Sequence, residues 1–275
     1  MRDLVGKMQD LRYLQWSENK ATSGSGGTFL KASTGAGTGR AYYKLSCYDA
    51  YRGIYGHECV NELVASRLFG LLGFDHVPYS LIHASVLVDG VEYETWLSKS
   101  GSYRHSTERK QAFDTFCRLH GKTGELPLDI AGRYGWESRM RQMMLGDYLI
   151  ANRDRHGANI EVLRDSDGSV RLAPLFDNGL SLVFSCYRDE ACIAAFDPLD
   201  DVRANNFVGT RSLEENLRFV LEEPPAVREL EEGWEQIVLD GLGCCLTSAH
   251  LGKIREIIER RWKHYALLRD SRFAA

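Results

Sequence analysis

Short aromatic and β-branched runs open the chain, namely LRYLQWS (11–17), TFLKA (28–32) and RAYYKLS (40–46), with the glycine-rich stretches SGSGG (23–27) and STGAGTG (33–39) between them. Extended runs divided by turn residues predict three strands joined as hairpins. In GHECVNELVASRLFGLLGF (56–74) the apolar positions 60, 63, 64, 68, 71 and 72 form a helical stripe that stops at Gly73. Residues 79–98 alternate on both sides of Asp89-Gly90, the signature of a hairpin closed by a type I′ turn. The expected order is three strands, a helix and a hairpin.

Residues 99–110, KSGSYRHSTERK, are polar and read as the crossing between two lobes. Helical patterns then dominate, over 108–120, 136–152, parts of 212–240, and 248–268 with apolar residues at 251, 254, 257, 258, 262, 265 and 268. The fold class expected is α+β and bilobal: an antiparallel-sheet N-lobe (1–98) with one helix, and a mainly helical C-lobe (99–275). A chain of 275 residues has room for both.

With 44% hydrophobic and 26% charged residues the composition is that of an ordinary globular protein. A formal charge of -4 supplies no broad basic field, so direct nucleic-acid binding is not expected. No run approaches the roughly 20 apolar residues of a membrane span, and the N-terminal MRDLVGKMQDLRYLQW has no apolar core of the signal type. The cysteines at 47, 59, 117, 186, 192, 244 and 245 are an odd set without C-x-x-C spacing. They suit reduced thiols in a cytoplasmic protein better than disulfides or zinc.

Candidate chemistry concentrates in ANRDRHGANIEVLRDSDGSVRLAPLFDNG (151–179). A helix is expected to stop near NRDRHG, and two strands about the turn DSDG make a ribbon that returns Asp177 to the neighbourhood of Asn159. Asp154 and Asn159 have the D-x-x-x-x-N spacing of a kinase catalytic loop, and Asp177-Asn178-Gly179 stands where D-F-G would. Alone, such spacing is ordinarily structural, because Asp and Asn cap helices and form Asx turns. The ribbon, the second Asp and the first lobe give it weight. Phosphoryl transfer uses Mg2+ held by a few carboxylate or amide oxygens, which suits Asn159 and Asp177. It also uses a carboxylate that takes the acceptor's proton, which suits Asp154. His156 and Arg155 would contact phosphate or brace the loop.

The first lobe offers the remaining parts in order. Ser23, Gly24, Ser25, Gly26 and Gly27 form a flexible cover for the phosphates of ATP, Lys44 lies in the third expected strand, and Glu62 follows in the helix. Lys31 competes with Lys44 but belongs to the second strand, and Glu58 competes with Glu62 because i and i+4 share a helix face. The adenine is expected against backbone groups between Glu94 and Leu97, including Trp96.

NRDRHGANI followed by LAPLFDNG resembles the HipA-like serine/threonine kinases and, more distantly, the phosphatidylinositol kinases, whose catalytic loops carry D-R-H-x-x-N or D-x-H-x-x-N. VNELVASRLFGLLG (60–73) resembles the HipA-like helix that supplies the lysine's glutamate, which favours Glu62. The resemblance implies a bilobal protein-kinase-like fold, ATP, Mg2+ and transfer to a hydroxyl. Asp154 would be the base, Asn159 and Asp177 the metal ligands, and Lys44 a phosphate contact. The expected acceptor is a protein Ser or Thr. A lipid or small-molecule alcohol on the same fold, or a non-catalytic nucleotide-binding regulator, are the alternatives. An antitoxin-like regulator belongs among the implied partners, although little chain precedes the glycine loop, so the extra N-terminal subdomain of HipA toxins is expected to be missing.

Overall fold

A computed structural model of the chain describes residues 3–19 and 28–273. The glycine cover expected at Ser23, Gly24, Ser25, Gly26 and Gly27 lies outside the described residues. The upper part consists of β1 (Leu4–Asp10), β2 (Ser17–Asn19), β3 (Thr28–Thr34), β4 (Ala41–Asp49), β5 (Gly53–Ile54), α1 (Glu58–Leu72), β6 (Tyr79–Val88) and β7 (Val91–Gly101). The strands form one sheet in the order β1-β6-β7-β4-β3-β2, with β5 on β4. Every pairing is antiparallel except β1 with β6, which is parallel. The β6–β7 hairpin turns at Asp89 (φ 49°) and Gly90 (φ 80°), the two positive values that a type I′ turn requires.

The first expected strand is displaced. Residues 11–16 are not a strand, and their apolar side chains Leu11 and Leu14 are buried as anchors under the sheet. The true first strand, LVGKMQD, is a half-exposed edge whose mixed polarity hides its period. Lys44 consequently sits on β4.

Helix α1 is buried on nearly every face, Glu58, Asn61 and Glu62 included, and ends at Gly73 in the left-handed conformation (φ 78°) that glycine adopts without strain. Its Leu63, Val64, Leu68 and Phe69 share one core with residues of the lower part such as Met143, Leu145 and Ile257. Each such side chain contributes about 2 kcal/mol on burial. A separate cluster, including Leu30, Leu45, Ile82 and Leu97, lies on the sheet's other face. Alternation along β6 sends Leu81 to the first and Ile82 to the second.

The lower part holds β8 (Arg109–Ala112), α2 (Phe113–His120), α3 (Pro127–Arg133), α4 (Glu137–Leu149), β9 (Asp154–Arg155), β10 (Glu161–Arg164), β11 (Val170–Leu172), α5 (Glu190–Ala195), β12 (Asn205–Asn206), α6 (Leu213–Glu222), α7 (Glu235–Val238) and α8 (Ser248–Phe273). The helix expected from 108 begins only at Phe113. Residues 109–112 are instead β8, which pairs with β10 and widens the ribbon to three strands, β11-β10-β8. Cys186 and Cys192 form a disulfide, correcting the expectation of reduced thiols throughout. The turn at Phe184–Cys186 and the start of α5 fold the chain back so that their Cα atoms lie 5.3 Å apart. Among the described residues no helix is long and apolar enough to cross a membrane.

Candidate functional site

Between sheet and helices lies a cleft of about 840 Å³ whose lining includes Lys31, Lys44, Glu62, Asp154, His156, Asn159 and Asp177. Lys44 Nζ donates to Glu62 Oε1 at 3.1 Å and to Asp177 Oδ1 at 2.5 Å, tying β4, α1 and the segment after β11 at one point. Asp177 Oδ2 faces Lys31 Nζ at 3.6 Å. Burial opposes the charge on Lys44, but Asp177 and then Glu62 outweigh it and raise its pKa above the ordinary lysine value. Burial likewise works against ionised Asp177, yet Lys44 and Lys31 hold it below the usual carboxylate range. Glu62 is pushed up by burial, with Lys44 opposing. Glu58, the competitor of Glu62, receives the backbone N–H of Cys47 at 3.3 Å and is not part of the lining.

The segment 152–159 is built on a buried polar network. Arg155 and Asp147 of α4 pair at 2.8 Å, each about 1% exposed. The same guanidinium donates to the carbonyls of Asn159 (3.2 Å) and Phe176 (2.7 Å) and to Asn178 Oδ1 (2.6 Å). One cation thus clamps the two segments that carry Asn159 and Asp177. Arg155 therefore braces the loop and does not line the cleft. Asn178 N–H donates to Glu62 Oε2 at 2.8 Å, and Asn61 Nδ2 donates to the carbonyls of Gly179 and Ser181, so α1 fixes the Asp177-Asn178-Gly179 turn. Asp177 holds φ 57°, a costly conformation for a residue with a side chain, retained because these contacts over-determine it. His156 Nδ1 accepts from Ala158 N–H, which leaves the ring proton on Nε2, 3.7 Å from Asp154 Oδ2. Asn205 Nδ2 donates to Asp154 Oδ1 at 3.3 Å from the neighbouring strand β12.

No family model and no curated protein matches the sequence. Among solved structures, the Helicobacter pylori proinflammatory kinase CtkA is similar with a TM-score of 0.65, over 96% of this chain and 98% of that one, at 15% identity. The fold is kinase-like.

Within this kinase-like fold the expected adenine contacts are not at the cleft. Glu94 and Trp96 pair with Ser85 and His83 of β6, and Leu97 is paired with both Ile82 and Leu45. The Glu94 carboxylate is exposed and meets His83, Trp96 stacks on His83, and Leu97 is buried under the sheet. The strand instead reaches the cleft with Ser98 and Ser100, followed by Ser102, Tyr103 and Arg104. Ser98 and Ser100 reach it while paired with the cleft-lining Lys44 and Tyr42 of β4, and past Gly101 the chain leaves that pairing. Tyr103 stacks on Phe176 at 5.8 Å and donates to Glu161 Oε2 at 2.6 Å, a contact with no forerunner in the motif pattern.

The donor set suits a hard cation. Asn159 spends its amide N–H on the carbonyl of Asp154 (2.8 Å), which leaves its Oδ1 as the free end, and Asp177 is an ionised carboxylate. These are oxygen donors of the kind magnesium takes while keeping waters. Among the described residues there is no group of three or more His, Cys, Asp or Glu that could hold a metal ion, so side chains of this chain would supply few of its ligands. Asp147 and Asn61 escaped motif reasoning, and Asn178 entered it only as the middle of the D-F-G-like triplet, without its bond to Arg155. The one available signal was a carboxylate in the apolar stretch MMLGDYLIA, where an isolated charge demands a partner.

Proposed function

We propose that this chain is a HipA-like kinase that transfers the γ-phosphate of ATP to an alcohol, the hydroxyl of a protein Ser or Thr. The observation that carries the reading is the convergence of Lys44, Glu62 and Asp177 in a cleft that also holds Asp154 and Asn159. Lys44 takes two carboxylates from segments distant in the chain, Glu62 buried and Asp177 half-buried, and a site that must grip phosphate has use for such a lysine. In this reading Lys44 binds the phosphate chain. Asn159 and Asp177 would hold Mg2+, which supplies neutralisation of phosphate charge when bound. Asp154 accepts the proton of the acceptor hydroxyl as its oxygen bonds to the γ-phosphorus and the bond to the departing ADP oxygen breaks. His156 presents Nε2–H toward Asp154 and orients that carboxylate. In this reading the lobes meet near residue 98, and the protein works in the cytoplasm.

The test is transfer of labelled γ-phosphate from ATP with magnesium, comparing wild type with folded Asp154→Asn and Asp177→Asn. Label on protein that disappears in both variants supports the reading. Transfer that persists in Asp154→Asn removes the assigned base. Label found only on added inositol lipids or small alcohols replaces the protein acceptor with those.

A further inference from the structure

The carboxylate assigned as the base is held by a residue that the proposed chemistry leaves without a task. Among the described residues one hydrogen bond reaches the Asp154 side chain, from Asn205 Nδ2 to Oδ1 at 3.3 Å. His156 Nε2 faces the other oxygen, Oδ2, at 3.7 Å, which is beyond hydrogen-bonding reach. The two oxygens of one carboxylate are therefore not equivalent.

Asn205 is mounted on the loop that carries Asp154. Strand β12 runs parallel to β9, with Asn205 opposite Asp154 and Asn206 opposite Arg155. The N–H of Asn205 donates to the carbonyl of Arg153 at 2.8 Å and that of Phe207 to the carbonyl of Arg155 at 3.0 Å, so the two rungs bracket Asp154. Residues opposite one another in paired strands share a face. Arg155 is 1% exposed and Asn206 has a buried amide nitrogen, whereas Asp154 lines the cleft and Asn205 stands exposed beside it. Both ends of the mount are tied. The N–H of Ala204 donates to the carbonyl of Arg211 at 2.8 Å, and Asn206 Oδ1 accepts from the N–H groups of Val208 and Gly209 at 3.0 and 2.9 Å. A donor on so rigid a support fixes a carboxylate better than one on a free loop.

We propose that Asn205 is a positioning residue: by holding Oδ1 of Asp154 it fixes the plane of the carboxylate and leaves Oδ2 as the oxygen that takes the acceptor's proton. The proposal rests on the kinase reading and deepens it. The proton passes from the acceptor hydroxyl to Oδ2 while the hydroxyl oxygen bonds to the γ-phosphorus and the bond to the ADP oxygen breaks. Asn205 keeps its own protons throughout. It acts through Asp154 and on nothing else.

Steady-state phosphate transfer by wild type, Asn205→Ala and Asn205→Asp tests it, with Asn205→Ala made again in the Asp154→Asn background and all variants shown folded by thermal unfolding. Loss of the hydrogen bond predicts that Asn205→Ala lowers kcat about tenfold. KM for ATP and for the acceptor should be unchanged. Asn205→Asp keeps the shape but replaces the donor with a like charge, so its kcat should fall further. In the Asp154→Asn background Asn205→Ala should remove nothing more. An unchanged kcat in Asn205→Ala, a raised KM in place of a lowered kcat, or an equal loss in the Asp154→Asn background would each overturn the positioning role and leave the kinase reading standing. Wild type that transfers no phosphate to any acceptor would instead bring down the kinase reading itself.

Discussion

Asp147 and Arg155 are a charge pair taken almost wholly out of water, and the guanidinium has further acceptors on two other segments. Removing one partner strands the other in a low-dielectric interior. Asp147→Asn is expected to lower unfolding free energy by about 3 kcal/mol or more, read from denaturant midpoints. Phosphate transfer should fall with it, because Arg155, the common donor to the carbonyls of Asn159 and Phe176, loses the carboxylate that holds it in place. The spacing of Asp154, Asn159 and Asp177 was legible in the sequence because it follows the local chain. The partner of Asp147 was not, since choosing it requires the path of the loop that swings Arg155 back under α4.

The ribbon and its loop are packed to contact. Gly157 lies so close to the start of α2 that an added Cβ would stand 2.5 Å from the Asp114 Cβ and 3.2 Å from its backbone nitrogen. Backbone cannot yield there as a flexible side-chain end would. Gly157→Ala should displace the loop between His156 and Asn159, costing about 1–3 kcal/mol of stability, and phosphate transfer should drop further than that loss of folded protein explains. Thermal unfolding and transfer assays on the same preparation separate the two effects. Legibility at this scale followed apolar periodicity. The stripe 251, 254, 257, 258, 262, 265 marked the long helix α8, whereas RKQA has no apolar period and becomes strand β8 only because β10 offers it an edge. The edge strand β1 was missed for a similar reason, its pattern being diluted by solvent-facing residues.

At the scale of the whole molecule, α1 joins the two parts, and the residue that starts it is sensitive to acid. His57 is buried against His250 and Tyr187, and neither of its ring nitrogens has a hydrogen-bond partner among the described residues. Burial, reinforced by the neighbouring His250, lowers its pKa from 6.5 to about 3. Because the folded-state value is depressed, the unfolded chain binds a proton that the folded chain refuses as pH falls below 6.5, and stability is lost down to about pH 3. This group contributes a slope of about 1.4 kcal/mol per pH unit over that window. His57→Phe should flatten the dependence, as measured by urea unfolding at about pH 6 and about pH 4. An unchanged slope would assign the acid sensitivity elsewhere.

Helix α1 is held by apolar residues shared with the lower core and by the bonds from Asn61 and Glu62 to the turn at 178–181. An inhibitor that works by wedging such a helix outward, away from the strand lysine, would have to tear open a hydrophobic core to make its own binding site. Compounds that compete for the cleft face no such penalty, so a screen built on displaceable nucleotide probes has a better prospect than one seeking a pocket behind the helix.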